Sequence, residues 1–437
     1  MRIVVIGGGL AGLASAARLA KAGHQVVLVE AATTLGGALG AVSEDGYTWD
    51  GSATSTLLPA ALRDLFRKSG RPLETELGGE LEPLDVITEH RFEDRTSVRV
   101  PGGSRAAQLA AFDELGPGLG EAWVRHVDTY APVWEVLRTN YVEVPWDPRD
   151  VPKDLDSLFN TRETLHKRLR RDFRDDRLGL VGGYRAVAEG HDLRNVPAWA
   201  GVTNYLEQRF GAWTVPGGMA RIVDLLTARL ETRGVTVLTG TAARDLVVRE
   251  GRVAAVSVES GDIDVDAVVV AIDPRRLPAL APVVERTMPA LPPVVAHVGL
   301  EGDVPQLSAE LVLHADPMIT IRTGGGAPEG GTAWTLHGRG KLAEDILEAL
   351  ARHKIDIREQ VVTRVDLSPR DLVEQWHGSP CGVLWQGRGT VRYRLGPHTP
   401  IAGVFAAGAH AAPGAGVPFV AQSAALVAQA IGPAKSS

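Results

Sequence analysis

The residues whose types and spacing suit nucleotide chemistry are the glycines of Gly7-Gly8-Gly9-Leu10-Ala11-Gly12 and the acid Glu30. Gly7 permits a tight turn, Gly9 lets backbone approach a pyrophosphate, and Gly12 lets a helix pack closely on the strand before it. Leu10 and Ala11 open that helix, whose free N–H groups and dipole favour phosphate. Glu30 stands where a carboxylate accepts hydrogen bonds from ribose hydroxyls, and its charge would repel a 2′-phosphate. A glycine-rich turn alone is also compatible with a purely structural role. The order of the surrounding elements argues against that. An apolar strand over Arg2–Ile6, a helix over 10–22 closed by Gly23, and a second apolar strand over Gln25–Val29 are all in register. The expected unit is a strand–helix–strand dinucleotide fold.

The rest of the chain must hold this unit and something for it to act on. At 437 residues the chain exceeds what one hydrophobic core usually serves, which predicts two packed domains. A net charge of −7 argues against a nucleic-acid partner. The single cysteine, Cys381, excludes an intrachain disulfide framework and a paired-cysteine metal site. The apolar start carries Arg2 but runs straight into glycines with no cleavage pattern, so a cytoplasmic location is expected. The uncharged stretch 401–434 is broken by Gly403, Gly408, Pro413, Gly414, Gly416 and Pro418, which suits a membrane span poorly.

A second glycine pair, Leu35-Gly36-Gly37-Ala38, follows the acid, and Gly46-Tyr47-Thr48-Trp49-Asp50-Gly51-Ser52 reads as a strand and turn. Together these motifs resemble the flavin amine oxidase superfamily, and within it the phytoene desaturase-like (carotenoid desaturase) branch. The resemblance implies FAD, with Gly36, Gly37 and Ala38 against its phosphate and ribitol. The family usually carries Arg where this chain has Ala38, so a phosphate counter-charge is missing there or supplied elsewhere. Phe210-Gly211-Ala212-Trp213-Thr214-Val215-Pro216-Gly217-Gly218-Met219 resembles the family's return to its flavin domain, and Ala243 matches the position whose backbone meets the adenine. The run from Gly403 to Pro418 resembles the flavin-closing motif. There the resemblance brings Gly408 and Ala409 to the ribitol, and Gly416, Val417 and Pro418 to the start of a helix facing the isoalloxazine carbonyls.

The expected fold class is α/β: a Rossmann-type FAD-binding domain, discontinuous in sequence, with an inserted α+β substrate domain. Its expected bounds are 1–75, 213–275 and 395–437 for the FAD-binding domain, and 76–212 and 276–394 for the substrate domain. Met219, Ile222, Val223, Leu226 and Leu230 mark one face of a helix, and 341–353 reads as another with Leu342, Ile346 and Leu350 inward. The segment 170–178 resembles a further family helix. Ser368-Pro369 opens one more, with Ser as N-cap.

By resemblance, the expected activity is dehydrogenation of adjacent carbons in a small lipophilic substrate, polyene or isoprenoid-like, as in carotenoid biosynthesis, with hydride passing to flavin N5. No second GxGxxG unit follows a strand, which favours O₂ or a quinone over a nicotinamide as the partner of electron transfer. A flavin amine oxidase acting on C–N bonds and a non-redox flavin-dependent isomerase are the alternatives. His410 falls in the closing loop, as a base or as a brace hydrogen-bonded to the glycine-rich backbone, and we expect the brace. The basic stretch 162–177 reads as a solvated helix face, with peripheral membrane contact as the competing reading. Several of the nine tryptophans fall in the substrate domain and could wall a flat substrate, although core packing is the default for each.

Overall fold

The structure is a computed structural model, which describes residues 1–434. The apolar strands of the sequence assemble into a five-stranded parallel sheet in the order Val404–Ala406, Ala267–Val270, Arg2–Ile6, Gln25–Val29, Thr236–Leu238. Each strand is apolar on both sides because both faces of the sheet are covered. Ile3, Val5 and Leu28 pack on helices Leu10–Lys21, Ala60–Ser69, Arg221–Thr232 and Val417–Ile431. Val4, Ile6 and Val29 pack on a three-stranded antiparallel sheet of Ala243–Arg249, Arg252–Val258 and Gly261–Asp264. Ile222, Leu226 and Leu230 are fully buried and Met219 packs beside them, the face their spacing predicted.

A second sheet has seven strands in the order Val361–Leu367, Val294–Glu301, Gly331–Arg339, Met318–Thr323, Glu310–Leu313, Val86–Arg91, Ser97–Pro101. Two distant stretches of chain build it, and they meet where Glu310–Leu313 runs parallel to Val86–Arg91. A helical layer between residues 105 and 210 has its own aromatic core, in which Trp123 stacks on Phe112 with centroids 4.3 Å apart. The hairpin Ala41–Glu44 and Tyr47–Asp50 joins the nucleotide unit to the large sheet. Trp49, fully buried, donates from Nε1 to the Val298 carbonyl at 3.3 Å.

Two helix expectations require correction. The segment 170–178 is not one helix: Leu165–Asp172 ends, and Asp175 caps a new helix, Asp176–Ala188, by accepting from the Arg177 N–H. The expected helix 341–353 is only Ile346–Arg352, because the Asp345 side chain takes the Leu347 N–H and fixes the start there. Aspartate competes for backbone donors and so sets a cap where apolar periodicity alone would run through. Helix Pro369–Gln375 starts as expected, with Ser368 and Asp371 forming a reciprocal capping box. Among the described residues no helix is long and apolar enough to cross a membrane. The basic stretch 162–177 spends its charge locally: Arg168 pairs with Asp172 at 2.8 Å, Arg171 with Glu163, and Arg177 with Asp175 at 2.7 Å.

Candidate active site

The site forms where two glycine turns meet back to back. Gly36 N–H donates to the Gly8 carbonyl at 2.9 Å, and Gly9 bridges Gly36. A Cβ on Gly37 would stand 3.2 Å from the Gly9 Cα, and one on Gly36, whose φ is +116°, would stand 2.9 Å from the Gly40 Cα. Both glycines are therefore required by backbone contact and φ. The GxGxxG glycines divide into two kinds. A Cβ on Gly12 would lie 1.8 Å from the Gly7 carbonyl oxygen, so Gly12 serves helix–strand contact. A Cβ on Gly9 would meet nothing nearer than the Gly36 oxygen at 3.9 Å, so its missing side chain leaves open space in the cavity.

Glu30 is buried, and its carboxylate accepts from Gly8 N–H at 2.5 Å and from Ala32 N–H at 2.7 Å. Sequence reasoning assigned it to a ribose. In the structure it first pins the glycine turn, and because each carboxylate oxygen can accept more than one hydrogen bond, Glu30 keeps accepting capacity in the cavity that it lines.

The cavity has a volume of about 900 Å³. Of the residues expected to hold the cofactor, Gly7, Gly9, Leu10, Ala11, Glu30, Gly36, Gly37, Ala38, Ala243, Gly408, Ala409, Gly416, Val417 and Pro418 all line it. Gly12 does not, for the packing reason above. Segments far apart in sequence thus converge on one wall. Gly408 N–H donates to the buried Ser423 hydroxyl at 2.8 Å, which ties the closing strand to helix Val417–Ile431. The open Cβ direction at Gly9 and the unpaired N–H groups at the start of helix Leu10–Lys21 suit a pyrophosphate. These residues fit FAD.

His410 also lines the cavity and is 7 % exposed. Neither ring nitrogen has a partner among the described residues, and its Nε2 is 4.0 Å from Asp273 Oδ2. Burial pushes its pKa below the ordinary value, and the Asp273 charge offsets only part of that.

Sequence reasoning missed the floor of the cavity, which is the large sheet. Met318, Thr320 and Arg322 alternate along one strand and His337 and Arg339 along its neighbour, all facing the cavity. Polar residues at every second position of otherwise apolar strands were the available signal. Glu310 sits at the centre of the polar patch, with Arg185 at 2.8 Å, Arg322 at 2.9 Å and the Tyr184 hydroxyl at 3.0 Å. Burial works against the Glu310 charge, but Arg185 and Arg322 outweigh it and hold its carboxyl below the usual range. Arg322 also donates to the Ser52 carbonyl at 2.7 Å, tying sheet to cradle. No arginine stands at Ala38; the cavity's guanidinium groups come instead from Arg185, Arg276, Arg322, Arg339 and Arg394.

The tryptophans split as well. Trp49, Trp123 and Trp334 are buried away from the cavity, whereas Trp134, Trp199 and Trp385 belong to the core of the helical layer and line the cavity as well, as does Trp376. Trp199 meets Trp385 edge-on at 5.3 Å, and the Arg394 guanidinium lies 4.6 Å over the Trp385 ring. The result is one cavity with an aromatic wall, a charged floor and a glycine cradle.

The family description "flavin containing amine oxidoreductase" matches residues 10–432. A 4,4'-diapolycopene oxygenase of Methylomonas sp is 24% identical, the match covering 72% of this chain and 66% of that protein. A zeta-carotene-forming phytoene desaturase of Myxococcus xanthus is 29% identical, covering 62% of this chain and 53% of its own length. The chain thus spans less than two thirds of the length of these curated relatives. A putrescine oxidase variant superposes with a TM-score of 0.71 at 16% identity, over 99% of this chain and 98% of that one, which is a likeness of fold.

Proposed function

Because the chain belongs to the flavin containing amine oxidoreductase family, we propose that it is an FAD-dependent dehydrogenase acting on adjacent carbons of a lipophilic, polyene or isoprenoid-like substrate. The observation that carries this reading is the aromatic wall of Trp134, Trp199 and Trp385, in the same cavity as the nucleotide cradle. Flat aromatic surfaces suit an extended unsaturated chain. Relatives named for carotenoid chemistry support the same substrate class. Amine oxidation is the weaker reading, because the curated relatives are named for carotenoid chemistry and the likeness to putrescine oxidase, at 16% identity, is one of fold.

We assign the FAD-binding domain to 1–75, 213–275 and 395–437, the last three of those residues lying outside the described chain. The substrate domain takes 76–212 and 276–394. Bound FAD would supply the two-electron redox chemistry. Gly7, Gly9, Leu10 and Ala11 would hold its pyrophosphate, Glu30 its ribose, and Ala243 its adenine. Gly36, Gly37, Ala38, Gly408 and Ala409 would flank its middle, and the N-terminus formed by Gly416, Val417 and Pro418 would offer a positive dipole end to a reduced, anionic ring. His410 is the proton acceptor in this reading: burial disfavours its charged form, neither ring nitrogen has a partner among the described residues, and Asp273, which also pairs with Arg275, stands 4.0 Å from Nε2.

Anaerobic mixing with phytoene, lycopene, farnesol and putrescine tests the reading. Bleaching of the flavin absorbance by a polyene or isoprenoid is expected. Bleaching by putrescine alone would overturn it in favour of C–N oxidation.

A further inference from the structure

Arg339 ends the strand Gly331–Arg339 and faces the cavity. Its Nε donates to the Ala188 carbonyl at 2.9 Å and its Nη1 to the Pro292 carbonyl at 3.1 Å. Its Nη2 is buried and has no partner among the described residues. The other two floor arginines differ: Arg185 and Arg322 share Glu310, and Arg185 has Glu207 at 2.8 Å as well. The Cys381 thiol stands beside Arg339 and, ahead of the Glu189 carboxylate, favours its charge. Burial pushes that thiol up to about 11, so it remains a neutral neighbour, and Glu189 itself lies 3.6 Å from His191 Nε2. Arginine cannot shed its proton. A buried donor on a fixed positive charge is costly unless an acceptor meets it.

Position adds to chemistry. Arg339 pairs in register with Met318, and Arg322, four residues along that neighbouring strand (322 − 318), contacts Ser52 of the cradle. That separation is roughly 14 Å at the usual antiparallel rise. Thr320 and His337 lie between, and burial pushes the His337 pKa down, so the fixed charges of the floor gather at the Arg322 end, where Glu310 pairs in register with Arg322 and holds Arg185 as well. The aromatic wall reaches the same end, since Trp385 N–H contacts His191 Nδ1 at 3.4 Å beside Glu189.

We propose that Arg339 receives an anionic end of the substrate, which is therefore a carboxylate-terminated polyene or isoprenoid lying along the floor from Arg339 toward Ser52. This deepens the dehydrogenase reading and rests on it for the polyene scaffold. Two immobilised N–H groups and one free Nη2 position the fork, and the free nitrogen supplies a charge-assisted hydrogen bond to a carboxylate oxygen.

The test is equilibrium binding to the FAD-loaded protein, read by quenching of tryptophan emission, with all-trans-retinoic acid, its methyl ester and all-trans-retinol as probes. The acid is expected to bind roughly 10–100-fold more tightly than the ester or the alcohol, the range for a hydrogen bond to a charged group. In Arg339→Gln that ratio should fall to within about threefold while retinol affinity holds, and Arg339→Lys should restore part of it. Equal affinity for acid and ester in the unaltered protein overturns the proposal, as does a preference that survives Arg339→Gln. If the Gln variant fails to fold, Arg339→Lys carries the comparison, and an acid preference left undiminished in it overturns the proposal. If polyene hydrocarbons bleach the flavin but the acid shows no preference, the anion subsite fails and the dehydrogenase reading stands. If the acid is preferred and no polyene bleaches it, the subsite stands and that reading fails.

Discussion

His410 Nε2 and Asp273 Oδ2 lie 4.0 Å apart, beyond hydrogen-bond reach, although both side chains are more than nine-tenths buried. A gap of that size leaves the imidazole free while keeping a negative charge near it. His410→Ala should therefore slow anaerobic flavin reduction by about 10²–10⁴-fold, the usual contribution of a positioned base. FAD content should remain stoichiometric, because the ring makes no hydrogen bond to the loop. Loss of FAD with an unchanged reduction rate in the retained holoenzyme would restore the bracing role.

Gly9 and Gly12 should fail in different ways when given side chains. Gly12→Val places atoms inside the Gly7 carbonyl and should prevent folding of the first strand–helix unit, seen as insoluble expression or a collapsed melting temperature. Gly9→Val has room, so the apoprotein should melt within a few degrees of wild-type apoprotein yet retain no flavin. Released-cofactor chromatography and thermal melts distinguish the two. Normal FAD content in Gly9→Val would remove this turn from the nucleotide site.

Glu310→Gln should cost about 3–5 kcal/mol of stability, the range for removing one partner of a buried ion pair. The substitution leaves Arg322 without its carboxylate and Arg185 with Glu207 alone. Denaturant unfolding measures the loss. A change under about 1 kcal/mol would place the cluster in the weak class of exposed pairs.

The pH dependence of stability follows from buried histidines. His90 Nδ1 and His314 Nε2 are hydrogen-bonded at 2.8 Å, and burial lowers the pKa of both, His314 to about 4. Burial lowers His297 to about 4 as well, and pushes His337 well below its ordinary value. Because the folded pKa lies below the unfolded one, the unfolded chain binds more protons as acid is added. The contribution is complete above the unfolded value near 6.5 and is lost as pH falls toward 4. The slope should reach about 1.4 kcal/mol per pH unit for each histidine displaced. Melting temperatures from pH 7 to 4.5 that stay flat would contradict this.

The nucleotide cradle was legible in the sequence because it is local. Gly7, Gly9, Gly12 and Glu30 sit within one strand–helix–strand unit, whose apolar periods and turn residues are dictated by backbone sterics over neighbouring residues. The second glycine pair and the closing run around Gly408 and Gly416 were also readable, since positive φ and close backbone approach admit few other residues. Helix starts were less so: Asp345 caps a helix that apolar spacing alone would begin earlier, and Asp175 caps a new helix inside a segment expected by resemblance to be one.

The floor of the cavity was decided only by tertiary structure. Arg322 and Arg339 are seventeen positions apart (339 − 322) on adjacent strands, Arg185 comes from a helix, and Ser52 from the cradle hairpin. Nothing in the spacing of those residues says that they share one space. Strand order sets it, and strand order depends on which apolar faces two distant stretches of chain can bury together. The same applies to Glu30, whose type and place the sequence determined. That its carboxylate is held by the Gly8 and Ala32 N–H groups is a matter of a few ångströms, fixed by packing rather than pattern.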